Sequence, residues 1–206
     1  MIFSKLIPWW LKIIIKIILS RVNINYSIWK KIGIFKHGNM EQSKYVLDTF
    51  KYHLSLANIQ PNQLKDKLIL EIGPGDSIGS ALVAKSFSIN SILLDNGLYA
   101  NNELIFYKNI SRELKGFGLN VPDIDVNDNL NSILEKCDSN YLTNGLKDFK
   151  SIKSNTVDLI FSQAVLEHIR RDEFDQYICE SYRVLNKHGL CSHRVDLKDH
   201  LGGKLN

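Results

Sequence analysis

The sequence predicts a doubly wound α/β protein on a parallel sheet, preceded by an N-terminal helical arm. Three observations predict it. From Leu68 onward, apolar runs of strand length alternate with helical patterns, and such alternation implies parallel strands joined by right-handed crossovers. The first run, LILEIG (68–73), stops at a strand-to-helix turn carrying Gly73 and Gly75. The second, SILLD (91–95), ends on an acid, Asp95, 20 residues after Gly75. In sheets of this kind the ligand sits at the carboxyl ends of the strands, where the strand order switches direction.

The 206 residues suffice for one domain with a sizeable core. In the arm, LIPWWLKIIIKIILSRV (6–22), Pro8 suits a first helical turn, and Lys12, Lys16 and Ser20 form one narrow polar stripe. The apolar run is shorter than the roughly 20 residues of a membrane span, and no small-residue cleavage site follows it. Two readings stand. Residues 5–21 form an interfacial helix on an anionic membrane, with Trp9 and Trp10 at headgroup level, or they pack on the main domain or a partner subunit. YSIWKKIGIFKHGNM (26–40) reads as a short helix ending near Gly33. MEQSKYVLDTFKYHLSLANI (40–59) has Tyr45, Val46, Phe50, Leu54 and Leu56 close to helical spacing, ended by Pro61. The expected division is a helical arm over 1–60 and the main domain over 61–206.

Beyond the glycine turn, SIGSALVAKSF (77–87) and DEFDQYICESYRVL (172–185) predict helices, and TVDLIFS (156–162) and GLCSHRVDL (189–197) predict strands. Residues 96–140 interrupt the rhythm with two helical stretches, ANNELIFYKNISRELKGFG and NDNLNSILEKC, joined by LNVPDID. An insertion of that length belongs to the class of lids and substrate-binding elements.

Charge is unevenly placed. Residues 1–51 carry nine Lys/Arg against two acids, whereas residues 52–206 carry 17 bases against 20 acids. The basic character belongs to the arm, which argues against a nucleic-acid-binding domain. Cys137, Cys179 and Cys191 are widely spaced and form no CxxC pair, so neither a zinc site nor a disulfide framework is expected. A reducing, cytoplasmic compartment fits, with peripheral contact at the inner membrane face under the interfacial reading.

A glycine turn lets a ligand approach the main chain, and the helix beyond it offers N–H groups and a partial positive charge. An ordinary strand–helix turn has the same pattern. Asp95 shifts the balance, because an acid at that place accepts from ribose hydroxyls; the alternative is a solvated Asp in a turn. A dinucleotide fingerprint is G-x-G-x-x-G. Here the third glycine falls one place late, at Gly79, with Ile78 in its slot, and Asp76 would set a negative charge beside phosphates. Glu71, Asp76 and Asp95 form an acidic rim better suited to a positive sulfonium.

LEIGPGDS followed by SILLD resembles the first two strand ends of class I S-adenosylmethionine-dependent methyltransferases. NTVDLIFSQAVLEHI is similar to their fourth strand and following turn, and SYRVLNKHGLCSHRVDL to their fifth helix and strand. The resemblance covers residues 66–197 apart from 96–140. SHRVDLKDHLGG is also similar to a bacterial subgroup tied to cell-surface carbohydrate pathways. The resemblance implies a Rossmann-like sheet of order 3-2-1-4-5 and S-adenosylmethionine as cofactor. Glu71, Gly73 and Gly75 would line its methionine end, Asp95 would bind the ribose, and Asn96 would lie against the adenine. Asn144 replaces an acid that family members often carry for the adenine amino group; an amide oxygen still accepts. Leu146 would pack on the adenine face, and Ser162 and Gln163 would sit nearest the transferred methyl.

The turn FSQAV lacks the Asn/Asp-Pro-Pro-aromatic signature of enzymes acting on amide or base nitrogens, which leaves an oxygen or an amino-sugar nitrogen as acceptor. Candidate general bases are Asp196, His168 and His193. His193 and Asp196 have opposite strand parity, and Asp196, nearer the carboxyl end, is preferred. Arg194 shares the parity of Asp196 and suits an anionic substrate. The expected function is methyl transfer to a small-molecule or cell-surface carbohydrate- or lipid-type acceptor, on oxygen. The alternatives are a non-catalytic, membrane-apposed binding module and an NAD-dependent oxidoreductase. Such enzymes usually finish with a hairpin beside the fifth strand. The residues after Leu197 are too few for it, so a truncated fragment with an unprotected edge strand is expected.

Overall fold

The computed structural model describes residues 42–197 together with Pro8, Trp10, Leu11 and Ile14. The chain divides into two compact units, residues 37–195 and residues 1–36 with 196–206. The helices expected over 6–22 and 26–40 lie outside the described residues, apart from those four positions. There the Leu11 N–H donates to the Pro8 carbonyl at 3.1 Å. Among the described residues no helix is long and apolar enough to cross a membrane.

Residues 37–195 hold a five-stranded parallel sheet in the order β3-β2-β1-β4-β5. Its strands are β1 (Leu68–Ile72), β2 (Asn90–Leu94), β3 (Ser139–Leu142), β4 (Val157–Gln163) and β5 (Leu185–Arg194). β1 is central and buried beyond its first residue, which explains its unbroken apolar run. Strand alternation sorts its neighbours onto two faces. Ile69, Leu93, Leu159 and Phe161 face a core built with α1 (Ser43–Leu56), α2 (Gly79–Ser86), α3 (Leu104–Gly116) and α4 (Leu130–Lys136). Leu70, Ile72, Leu94 and Ile160 face a smaller core with α5 (Leu146–Phe149) and α6 (Arg171–Val184).

α1 is part of the larger core. Val46, Phe50 and Leu54 recur every four residues and are all buried. The Phe50 ring stacks on Phe87 with centroids 6.1 Å apart and meets Phe161 edge-on at 6.0 Å.

The interruption at 96–140 is the crossover from β2 to β3. Its two helical stretches are α3 and α4, and LNVPDID between them is held by the Ser111 hydroxyl on the Pro122 carbonyl at 2.9 Å. β3 follows at once. It is an outer strand of four residues whose only fully buried member is Ser139, so no apolar run announces it. β5 is the other outer strand and begins at Leu185, directly after α6. The sheet reverses its order between β1 and β4, where Ile72 pairs with Ser162, and the glycine turn opens there.

Phe50→Ala is expected to cost about 3–5 kcal/mol of stability in denaturant unfolding. A loss below about 1 kcal/mol, the range of ordinary surface changes, would show that α1 is not packed into the core.

Candidate functional site at the carboxyl ends of the strands

The turn after β1 needs its glycines. Gly73 has φ +74° and Gly75 φ +66°, values that side chains other than glycine rarely adopt. A Cβ on Gly73 would also fall 2.4 Å from a Val165 methyl carbon, because the turn after β4 presses against it. That second turn holds Ala164 at φ +54°, strained for a residue with a side chain, and its N–H extends the ladder to the Arg194 carbonyl at 2.8 Å.

Asp95 gathers the loops around this turn. One carboxylate oxygen accepts from the Gly75 N–H at 3.1 Å and the other from the Asn96 N–H at 2.8 Å. Its own N–H donates to the Leu142 carbonyl at 2.8 Å, and its carbonyl accepts from the Gly145 N–H at 2.9 Å. One residue therefore ties together the glycine turn, the end of β2 and the loop after β3. Two tyrosines brace the segment that follows. The Tyr141 hydroxyl donates to the Gly97 carbonyl at 3.1 Å and accepts from the Tyr99 and Ala100 N–H groups at 3.3 and 3.4 Å. The Tyr177 hydroxyl donates to Asn96 Oδ1 at 2.9 Å.

The start of α2 is closed. Asp76, Ser77 and Ile78 are wholly buried. The Ile78 N–H donates to the Tyr107 hydroxyl at 3.4 Å and the Gly79 N–H to Ser77 Oγ at 3.0 Å. The N–H groups that would cradle a pyrophosphate are thus already engaged. The expected acidic rim is corrected here: Glu71 is 2% exposed and Asp76 0%, so of the three acids only Asp95 reaches the surface. Glu71 lies beneath the turn and accepts from the Ser80 hydroxyl. Burial pushes its carboxyl up to about 7; the Ser80 bond opposes that rise and the Asp95 charge adds to it.

The ends of β4 and β5 carry a second polar group, divided by strand parity. On the α6 face, Ser162 Oγ and His193 Nδ1 share a hydrogen bond of 2.8 Å, and burial lowers the affinity of His193 for a proton. On the α1 face stand Gln163, Ser192, Arg194, Tyr52 and His53. His53 Nδ1 bonds Ser192 Oγ at 2.8 Å, and the Arg194 guanidinium lies 5.5 Å from the centre of the Tyr52 ring. Burial lowers His53 to about 4, against a raising contact from Gln163 and with the charges of His193 and Arg194 acting the same way as burial. Gln163 is close enough to be felt, yet His53 Nε2 and Gln163 Oε1 are both buried without meeting hydrogen-bond geometry. His168 is exposed on the 3-10 turn Leu166–His168, its N–H on the Val165 carbonyl at 2.8 Å. Asp196 falls in the other unit. His53 escaped the sequence reading because it sits in an ordinary helical run, with its partner 139 residues away.

Near the loop after β3, Asn144 is exposed and donates its amide to Asp148 at 2.9 Å. Leu146 is half-buried against the smaller core. Among the described residues no group of three or more His, Cys, Asp or Glu is arranged to hold a metal. A surface concavity of about 590 Å³, lined by Gln60, Asn62, Lys65 and Phe87 among others, opens at the amino ends of the strands, away from these residues.

Residues 108–192 match the family model for the methyltransferase domain. That match covers under half of the chain. Its five-stranded order is that of the Rossmann-like class I fold. The match runs from α3 to β5, so the glycine turn and Asp95 precede it. No curated protein matches the sequence. Among solved structures, the chain is similar to a Methanococcus maripaludis protein assigned as an S-adenosyl-L-methionine-dependent methyltransferase (15% identity, TM-score 0.45, 79% of this chain and 64% of that one). It is similar to a SAM-dependent methyltransferase from Archaeoglobus fulgidus (15%, 0.39, 70% and 51%). It is also similar to Haemonchus contortus phosphoethanolamine N-methyltransferase 2, solved with S-adenosylhomocysteine (17%, 0.38, 62% and 24%). The chain thus spans less than two thirds of each of these proteins.

The buried Glu71 gives the domain a pH signature. Its folded value of about 7 stands above the unfolded 4.5, so its contribution to stability is greatest below pH 4.5 and declines as pH rises to 7. His53, lowered from 6.5 to about 4, acts in the opposite direction between those values. Comparison with a variant separates the two. From pH 5 to pH 8, Glu71→Gln should gain stability relative to wild type by on the order of 2–3 kcal/mol, measured by urea unfolding at each pH. A constant difference across that range would show that Glu71 ionises normally.

Proposed function

We propose that the domain transfers a methyl group from S-adenosylmethionine to a small-molecule acceptor. The observation that carries the reading is Asp95, a carboxylate at the end of β2 that already organises the glycine turn beside the point where the sheet reverses. A carboxylate accepts from several donors at once, the chemistry that a pair of ribose hydroxyls calls for. The closed start of α2 disfavours a dinucleotide. A buried Glu71 beneath the turn favours a positively charged ligand above it.

When bound, S-adenosylmethionine supplies an activated methyl group on a sulfonium. The chain holds and aligns, which is the larger part of catalysis in such a displacement. In this reading Glu71, Gly73 and Gly75 hold the methionine end, Asp95 the ribose, and Asn96, Asn144 and Leu146 the base, with Ser162 and Gln163 beside the methyl. Arg194 has no carboxylate within ion-pairing distance among the described residues, which supports an anionic group on the acceptor. For the reacting atom we propose an oxygen of a carbohydrate- or lipid-type molecule. Its proton needs a base, and burial keeps His193 in the neutral, proton-accepting form at neutral pH. His168 and Asp196 are the other candidates for that proton.

Calorimetric titration tests the cofactor. S-adenosylhomocysteine should bind the wild-type chain and NAD should not, and Asp95→Ala should weaken the former at least tenfold, or about 1.4 kcal/mol. NAD binding without S-adenosylhomocysteine binding overturns the reading. Labelled-methyl transfer onto cell-envelope extracts tests the chemistry, and cofactor binding without any transfer would mark a binding module.

A further inference from the structure

We propose that His53 is a positioning residue that holds Gln163 with its amide NH₂ outward beside Arg194, and that Gln163 and Arg194 together bind the methyl acceptor through an anionic oxygen group, carboxylate or phosphate. That this group belongs to the acceptor rests on the function proposed above.

The side chain of Gln163 is divided between core and surface. Its Oε1 is buried, while its Nε2 has no hydrogen-bond partner and reaches the surface. The inward oxygen is felt by His53, which is 1% exposed and whose own Nε2 is buried as well. The imidazole has little freedom. Its Nδ1 bonds Ser192 Oγ at 2.8 Å, and its ring packs on Phe161 with centroids 5.1 Å apart. Burial lowers His53 to about 4, so the ring is neutral at neutral pH, and Gln163 is the contact that opposes the fall. A neutral imidazole carries one donor and one acceptor. Facing an oxygen, Nε2 is the atom that carries the proton, and Nδ1 then accepts from the Ser192 hydroxyl. His53 Nε2 and Gln163 Oε1 fall outside hydrogen-bond geometry, yet each is the complement of the other, and buried polar atoms are seldom left unpaired. Turning the amide over would set its NH₂ against an N–H. His53 thus decides which edge of Gln163 faces out.

The outward edge carries donors only. Neither an amide NH₂ nor a guanidinium has an acceptor atom. Gln163 and Arg194 are partners at the last register step of β4 and β5, so they leave the same face of the sheet from strands about 5 Å apart. Arg194 is exposed, with its guanidinium 5.5 Å from the centre of the Tyr52 ring. Among the described residues it makes no ion pair and no side-chain hydrogen bond. A guanidinium resting on an aromatic face keeps its edge N–H groups for a ligand. One fixed positive charge flanked by further donors complements a group with several acceptor oxygens and a negative charge.

The experiment uses the full chain in nitrogen–proton spectra, with acetate, inorganic phosphate and neutral glucose as probes. The wild type should show His53 neutral with its proton on Nε2, and a proton on Nδ1 overturns the inference. Acetate or phosphate should shift the Gln163 side-chain NH₂ signals saturably while glucose does not, and the tighter ion names the group as carboxylate or phosphate. No shift with either ion overturns the inference, as does equal binding by Arg194→Ala, which would mark an adventitious ion only. His53→Phe keeps a ring but has no N–H, and should weaken the ion roughly fivefold or more. His53→Gln returns an NH₂ and should recover binding to within about twofold. Unchanged binding in His53→Phe, or no recovery in His53→Gln, overturns the role of His53. Should His53→Phe not fold by circular dichroism, the wild-type tautomer decides. Saturating S-adenosylhomocysteine should leave ion binding within about twofold. Competition would assign the pair to the carboxylate of the cofactor and overturn the acceptor inference. Absence of S-adenosylhomocysteine binding is a different result, which removes the cofactor reading and leaves the ion measurements standing.

Discussion

The site depends on the carboxylate of Asp95. A parallel sheet delivers its strand ends side by side, but the loops leaving them are separate pieces of chain with no reason to cohere. Asp95 supplies that reason through four hydrogen bonds, two at its side chain and two at its main chain. They reach the glycine turn, Asn96 and both sides of the β3 loop. The left-handed backbone at Gly73 and Gly75 lets the turn come back far enough for the Gly75 N–H to point at this carboxylate. Tyr141 and Tyr177 then hold the segment from Asn96 to Ala100. Each phenol is anchored in an element of the sheet or its covering helix, so the loop inherits the rigidity of the core.

Strand parity sorts the remaining chemistry. At the end of β5, Ser192 and Arg194 turn toward α1 while His193 turns toward α6, each meeting residues of β4 with the same parity. Two histidines a few residues from the proposed methyl position therefore work in separate compartments. Both are held below the ordinary imidazole range, first by burial. Neither stores a positive charge at neutral pH, so among the described residues of this cluster the fixed cation is Arg194. Under the function proposed above, that arrangement would orient an anionic acceptor without repelling the sulfonium more than one guanidinium does.

Much of the fold was legible in the sequence, and the exceptions share a cause. β1, β2 and β4 announce themselves as apolar runs because most of their residues are buried. β3 does not, since an outer strand reading Ser-Asn-Tyr-Leu has little apolar surface to hide; it is paired only after α3 and α4 bring it alongside β2. Among the site residues, Gly73, Gly75 and Asp95 could be read because their spacing is local to one βαβ unit. The acidic rim could not. Counting Glu71 and Asp76 as surface charges ignored that the turn folds over them. His53, Tyr107 and Tyr141 were equally hidden. Their hydrogen bonds join positions 29 to 139 residues apart, and no periodicity within one element reports such a partner.

Glu71 links the architecture to the chemistry. Burying a carboxylate removes it from water at a cost that grows steeply if it stays charged without compensation. Its one bond from Ser80 does not fully compensate, as the raised carboxyl shows. The unliganded domain therefore carries a group poised to take up or release a proton near neutrality. Apolar side chains fill the rest of the core at β1, where Ile69, Leu70 and Ile72 are all buried, and a leucine at position 71 would relieve this cost. Retaining an acid there makes physical sense if a cation settles above the glycine turn, because its field favours the ionised form and recovers part of the energy lost on folding. The same reasoning accounts for the closed start of α2. A site selecting a sulfonium gains nothing from free N–H groups aimed at phosphate, and closing them with Ser77 and Tyr107 removes the positive end of the helix from competition with Glu71.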